Sequence, residues 1–341
     1  MSVTKIMNDL STKTLKPIYF LYGTEQYLIE QFLQNVHEVL FTEDDGELND
    51  VRFYLADTPL EQIIEEAETV PFFSTRKLVV IQDFYLATSQ KPPSKIEHNV
   101  DSIEAYVNEP ASETVLVIVA PYEKLDERKR ITKRLKKEVE AIDVSPLSEE
   151  NVYKWIQSIM KKEHFEIETE AKELMFQRVG ANLMLMHQEL NKCMLYAKDV
   201  KRITKTDVAN MVAETVEQSI FTVIEFAAKG QAGKAVHTYH GLLRQKEEPL
   251  AILALLTRQF RIFYQVKVRA SKGYTQKEIA SQLKVHPYVI KLAMQKMKSF
   301  SIESLRLAII HCSDTDYGIK SGRLEKEMAV ELLLIRLSEA G

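Results

Sequence analysis

At 341 residues the chain is longer than one ordinary hydrophobic core, so two or three domains are expected. Hydrophobic residues at 45% and charged residues at 28% fit a soluble globular protein, and 10 glycines with 10 prolines are too few for an all-β or linker-rich chain. A formal net charge of −4 excludes a protein dominated by non-specific nucleic-acid affinity and leaves room only for local basic faces. The two cysteines, Cys193 and Cys312, are far apart inside helical patterns, which suits a reducing cytosol and offers no disulfide or metal spacing. The first ten residues contain no apolar signal core, and the longest apolar run, 250–256, is far short of the ~20 residues a membrane span needs. A cytoplasmic protein is expected.

Pro17-Ile18-Tyr19-Phe20-Leu21-Tyr22 is a short apolar run closed by Gly23, which predicts a strand over 17–22. Helical spacing of Leu28, Ile29, Phe32, Leu33, Val36 and Leu40 follows, then a second strand over 51–55. Thr58-Pro59-Leu60-Glu61 reads as a capping box that opens a helix running to about Thr69. Strands over 78–81 and 114–120, with a fifth over 141–144, complete an alternation that implies a mostly parallel sheet covered on both faces. On such a sheet the turn after the first strand invites a phosphate loop. Gly23-Thr24-Glu25-Gln26 has neither the second glycine nor the lysine, and Glu25 and Glu30 would repel a triphosphate. Asp83 imitates a magnesium carboxylate, but no catalytic glutamate follows it. The domain has the shape of an ATPase without the means to bind ATP.

Between the helix and the third strand lies Val70-Pro71-Phe72-Phe73-Ser74-Thr75-Arg76-Lys77. A strand core does not need two aromatics in the loop ahead of it. Phe72 and Phe73 either fold down onto the sheet or form an aromatic wedge aimed at a partner. Further on, Arg128, Lys129, Arg130, Lys133 and Arg134 belong to one dense basic run, where Ile131 and Leu135 mark a helix packed by a narrow stripe. Its charges are either a solvated face or a sequence-independent contact to DNA phosphates.

Beyond Ser145-Pro146-Leu147-Ser148 the pattern is helical throughout: a small bundle over 146–212, then a larger domain over 213–341. In the larger domain 249–271 is apolar on nearly every face, which predicts a helix enclosed by others. Its basic residues, among them Arg258, Arg261, Lys267 and Arg269, face either solvent or DNA. Thr275-Gln276-Lys277-Glu278 is a second capping box, and 275–297 imitates a helix-turn-helix, with Lys284 where the turn usually has glycine. His237 and His240 are three apart on a helix, but nothing nearby completes a metal set. Neither a nucleophile elbow nor a marked pair of carboxylates occurs, so no catalytic residue is expected.

Several segments together resemble the delta subunit family of the bacterial DNA polymerase III clamp loader. They are Ile18-Tyr19-Phe20-Leu21-Tyr22-Gly23-Thr24-Glu25 with Tyr27-Leu28-Ile29, and Pro71-Phe72-Phe73-Ser74-Thr75-Arg76-Lys77 with Leu78-Val79-Val80-Ile81. The later ones are Leu255-Leu256-Thr257-Arg258-Gln259-Phe260-Arg261, Gly273-Tyr274-Thr275-Gln276-Lys277-Glu278-Ile279-Ala280 and Asp316-Tyr317-Gly318-Ile319-Lys320-Ser321-Gly322. The resemblance implies an α/β ATPase-like domain of the AAA+ type without a nucleotide site over 1–145. A small helical lid over 146–212 and an all-α collar over 213–341 would follow it. It implies no cofactor and no metal. The chain would be a non-catalytic part of a DNA-directed DNA polymerase holoenzyme, assembled with delta-prime and gamma/tau subunits and loading the sliding clamp onto primer-template DNA. It further implies that the clamp-binding residues are Phe72 and Phe73, flanked by Pro71 and Val70. Two readings from other classes compete. A helix-turn-helix regulator with an α/β sensor domain predicts tight sequence-selective DNA binding by 270–300, and an active ATPase predicts micromolar ATP affinity.

Overall fold

The computed structural model describes residues 15–41, 49–71 and 75–339. The chain divides into two compact units, Met1–Leu147 and Ser148–Gly341.

The first unit carries β1 (Ile18–Tyr22), β2 (Asp50–Tyr54), β3 (Lys77–Gln82), β4 (Thr114–Ala120) and β5 (Glu140–Asp143). They form one sheet in the order β2-β3-β4-β1-β5, and every pairing is parallel. Central β4 is buried at all seven positions, with Ile18 of β1 and Val79 of β3 both in register with its Leu116. A strand paired on both edges and covered on both faces has no solvated side, hence the unbroken Val-Leu-Val-Ile-Val run. Helix α1 (Gln26–Leu40) covers one face, where Phe32 meets Tyr19 edge-on at 5.1 Å. On the other face lie α2 (Leu60–Glu68), α3 (Val100–Asn108) and α4 (Arg130–Glu138). Their Ile63, Ile103, Tyr106, Ile131 and Leu135 share a core with Phe20, Val79, Ile81 and Ile118.

The capping box expected at Thr58 does not form. Helix α2 starts at Leu60 behind Pro59, which offers no side-chain cap. Residues distant in sequence do the work instead: His98 Nδ1 accepts the Leu60 N–H at 3.1 Å, while Glu61 accepts the N–H of Asn99 at 3.1 Å.

The second unit opens with α5 (Glu149–Lys162), α6 (Thr169–Val179), α7 (Leu183–Tyr196) and α8 (Lys205–Met211). Helix α7 is capped by Asn182, and α8 opens on a capping box of Thr204 with Asp207. Two strands of two residues each, Glu166–Ile167 and Arg202–Ile203, pair in parallel here, where periodicity implied helices alone. A two-residue strand is too short to leave a period. Arg178 of α6 donates to the carbonyls of Val208, Ala209 and Val212, satisfying the open end of α8.

Seven further α-helices follow among the described residues: α9 (Val216–Ala228), α10 (Ala232–Arg244), α11 (Pro249–Ser271), α12 (Gln276–Leu283), α13 (Pro287–Lys296), α14 (Ile302–Lys320) and α15 (Lys326–Glu339). Helix α11 is enclosed as its all-round apolar pattern requires, with Ile252, Leu256, Phe260, Phe263 and Val266 all buried in one cluster. Cys193 and Cys312 are also fully buried, and burial pushes both thiols up to about 11. Since the thiolate is the reactive form, neither is expected to react measurably with a thiol reagent at pH 8 until the unit is denatured, when both titrate.

Candidate functional site

On a sheet of this order a nucleotide phosphate would sit at the turn after β1, held by main-chain N–H groups at the start of α1. Here two main-chain N–H groups of the turn are already used. Gly23 N–H donates to the Ala120 carbonyl at 3.2 Å and Glu25 N–H to the Val144 carbonyl at 2.9 Å, while Val144 N–H returns to Tyr22 at 2.8 Å. The chain leaving β5 therefore lies directly over the turn: a Cβ placed on Gly23 would be 2.4 Å from Ser145 N and Val144 C. Burial raises the Glu25 carboxyl, so the nearest acid sits in a poorly solvated place beside the turn. Asp83 is engaged too, accepting the hydroxyl of Tyr122, and burial together with that carboxylate drives the phenol pKa upward. Calorimetric titration with ATP is expected to show no micromolar binding, because a phosphate would first have to displace these backbone bonds.

The loop between α2 and β3 is different in kind, since its ends are fixed. Phe72 and Phe73, with Ser74, lie outside the described residues; their flanks do not. Val70 is 76% exposed and Pro71 is partly buried. At the end of α2, Thr69 N–H reaches the carbonyls of Glu65 and Glu66, both at 3.2 Å, and its hydroxyl donates to the Glu66 carbonyl at 2.8 Å. At the start of β3, Lys77 is 4% exposed. Its Nζ donates to Glu66 Oε1 at 2.5 Å, to the Glu66 carbonyl at 3.1 Å and to Thr69 Oγ1 at 2.5 Å. Sequence reasoning placed Lys77 in a polar turn. The only available signal was a lysine abutting a strand whose next residues, Leu78-Val79-Val80-Ile81, are all buried.

The basic run becomes less basic once its neighbours are seen. Arg128 pairs with Asp126 at 2.9 Å, and hydrogen bonds from Arg128 bring the Asp126 carboxyl down to about 2. Lys129 Nζ donates to the Leu86 carbonyl at 2.9 Å. Arg130 and Arg134 share buried Glu104, at 2.6 and 3.5 Å, and Arg134 also pairs with Glu138 at 2.7 Å. Lys133 is exposed and has no partner among the described residues. Of the five expected DNA-facing cations, four are thus already bonded locally, which reduces the field they project.

In the second unit, Lys267 donates to the carbonyls of Met297 and Phe300, and Arg269 to Gln282 at 2.9 Å. Arg258 and Arg261 instead line a groove of about 480 Å³ with Leu253, Ile262, Leu283 and Asp316. The Thr275 capping box forms with Glu278, and Lys284 holds the left-handed turn at φ 53°, ψ 44°. Of the apolar positions of the helix-turn-helix pattern, Ile279, Ala280 and Ile290 belong to the core of the unit, while Leu283 and Val285 are partly buried against it. His240 Nε2 contacts the Glu331 carboxylate. Among the described residues no group of three His, Cys, Asp or Glu is placed to hold a metal, and no helix is long and apolar enough to cross a membrane.

Comparison with known proteins covers both units. Residues 19–145 match the family described as "DNA polymerase III, delta subunit", and 217–337 match "DNA polymerase III delta subunit, C-terminal domain". The DNA polymerase III subunit delta of Bacillus subtilis (strain 168) is 38% identical over 335 residues, covering 98% of this chain and 96% of the relative. The probable DNA polymerase III subunit delta of Aquifex aeolicus (strain VF5) is 23% identical over 311 residues, covering 88% and 85%. Among solved structures, the Bacillus subtilis DNA clamp loader delta protein superposes with a TM-score of 0.90 at 38% identity, covering 99% of each chain.

Proposed function

We propose that this chain, which belongs to the DNA polymerase III delta subunit family, is the clamp-loader subunit that grips the sliding clamp and opens its ring for loading onto primer-template DNA. The observation that carries this reading is the 38% identity and TM-score of 0.90 to a clamp loader delta protein across 99% of both chains. The geometry supports it in two ways. The turn after β1 has the amides of Gly23 and Glu25 bonded to carbonyls, which supports a reading in which any ATP dependence is supplied by neighbouring subunits. The loop carrying Phe72 and Phe73 springs from two fixed ends, so an aromatic pair there is offered with little ordering cost.

In this reading Val70, Pro71, Phe72 and Phe73 contact the clamp. Residues 1–145 form the clamp-binding domain, 146–212 the lid and 213–341 the collar that joins delta-prime and gamma/tau subunits in the cytoplasm. Lys133 and the partly neutralised cations around it are the DNA-facing candidates of the first domain. The helix-turn-helix regulator draws support only from the turn at Lys284, a geometry common to compact helix pairs.

The test is direct binding of the full chain to the sliding clamp, followed by loss of a fluorescence-quenching signal across the clamp's subunit interface. A complex with Kd below about 1 µM and an opened interface are expected. A chain that binds no clamp, alone or with its loader partners, would overturn the reading.

A further inference from the structure

We propose that Lys77 is the positioning residue for the clamp contact: its buried ammonium staples the end of α2 to the start of β3 and so sets the geometry in which the loop between them is presented. This inference rests on the clamp-binding reading of that loop.

Lysine is almost never fully buried unless its charge is met. Here the first residue of β3 is 4% exposed, and three oxygens meet its Nζ: the Glu66 carboxylate, the Glu66 carbonyl and the Thr69 hydroxyl. They belong to the last turn of α2 and its C-cap residue Thr69, the end where carbonyls lack helical partners and the helix dipole favours a cation. Lys77 thus acts as a C-terminal cap supplied from the far side of the loop. The backbone around it is tied as well. Its own N–H donates to the Glu113 carbonyl at 2.8 Å, and Thr114 Oγ1 donates to the Ala67 carbonyl at 2.7 Å, so β4 secures both ends from behind. An apolar residue at position 77 would satisfy the sheet equally well. The ammonium adds one thing a hydrocarbon cannot, a bond from one end of the loop to the other. Fixing the ends of a loop lowers the cost of ordering it on a partner, and affinity gains what that cost no longer removes.

The experiment compares full-length variants for affinity to the sliding clamp and for amide hydrogen exchange. Lys77→Met is expected to weaken clamp binding about tenfold or more, and to accelerate exchange at 67–71 and 75–77 while leaving 114–120 unchanged. Thr69→Val removes one acceptor and is expected to weaken binding about threefold, whereas Thr69→Ser keeps the hydroxyl and binds like the parent. Should Lys77→Met fail to fold, the Thr69 pair decides the matter. Phe72→Ala/Phe73→Ala serves as the reference. If that variant loses the clamp while Lys77→Met and Thr69→Val bind normally, the staple is overturned and the clamp reading stands. If the phenylalanine variant binds normally, the clamp reading of the loop fails. The staple is then judged by exchange alone, and unchanged protection at 67–71 and 75–77 in Lys77→Met overturns it.

Discussion

The double substitution Phe72→Ala/Phe73→Ala is expected to weaken binding to the sliding clamp by at least about a hundredfold while leaving the unfolding midpoint unchanged. A phenylalanine seated in a partner's pocket buries on the order of 150–250 Å², and truncating such an anchor typically costs about 2 kcal/mol or more. Two adjacent anchors do not contribute independently, so the bound is set below their sum. Stability is expected to hold because, in the clamp-binding reading, the two rings are offered to the partner, while Phe20, Val79, Ile81, Leu116 and Ile118 from the sheet pack with Ile63, Ile64, Ile103 and Tyr106 from the helices. Clamp affinity by surface plasmon resonance, urea midpoints and capture by the other loader subunits are the three measurements. The rival arrangement, with both rings folded onto the sheet, gives the opposite pattern: clamp binding persists, the midpoint falls, and about 3 kcal/mol or more of stability is lost. That result would withdraw the site from this loop.

What the sequence disclosed follows from which forces are local. Strands β1, β3 and β4 were legible as short apolar runs because burial on both faces leaves no alternation to confuse them. The Thr275 box was legible because cap and helix are within four residues of each other. The apparent box at Thr58 had the same local credentials and failed, since His98, 38 residues away, accepts the Leu60 N–H instead. How far the charge of the basic run is met locally was not legible for a similar reason. Glu104 neutralises Arg130 and Arg134 from another helix, and no window around 128–137 contains it. Lys77 was the largest miss. A lysine beside Ser-Thr-Arg reads as a turn residue, and only the folded chain shows its stem inside and its ammonium on the helix it follows. Phe72 and Phe73 were singled out from the sequence alone. The structure adds to them a description of the ends from which their loop departs.

Gly23→Ala is expected to destabilise the first unit by about 3 kcal/mol or more, among the largest effects of any single-atom-group addition in the chain. Two costs combine. At φ 130° the backbone occupies a region that side-chain-bearing residues rarely enter. The added methyl would also lie 2.4 Å from Ser145 N and 2.7 Å from the Val144 carbonyl oxygen, both main-chain atoms that cannot rotate aside. Relief requires moving the segment after β5, which breaks the Glu25–Val144 and Val144–Tyr22 hydrogen bonds that fasten β5 to β1. Gly322→Ala is the control for the first cost alone: its φ is also positive, at 74°, but no atom lies within 4 Å of the added carbon. About 1 kcal/mol is expected there. Amide exchange at 18–22 and 140–143 reports on the first unit, and fluorescence of Trp155, the sole tryptophan, reports on the second. If Gly23→Ala costs no more than Gly322→Ala, the segment after β5 is not packed over the turn. The amide of Glu25 would then be open to a phosphate, and the expectation of no ATP binding would weaken with the clash.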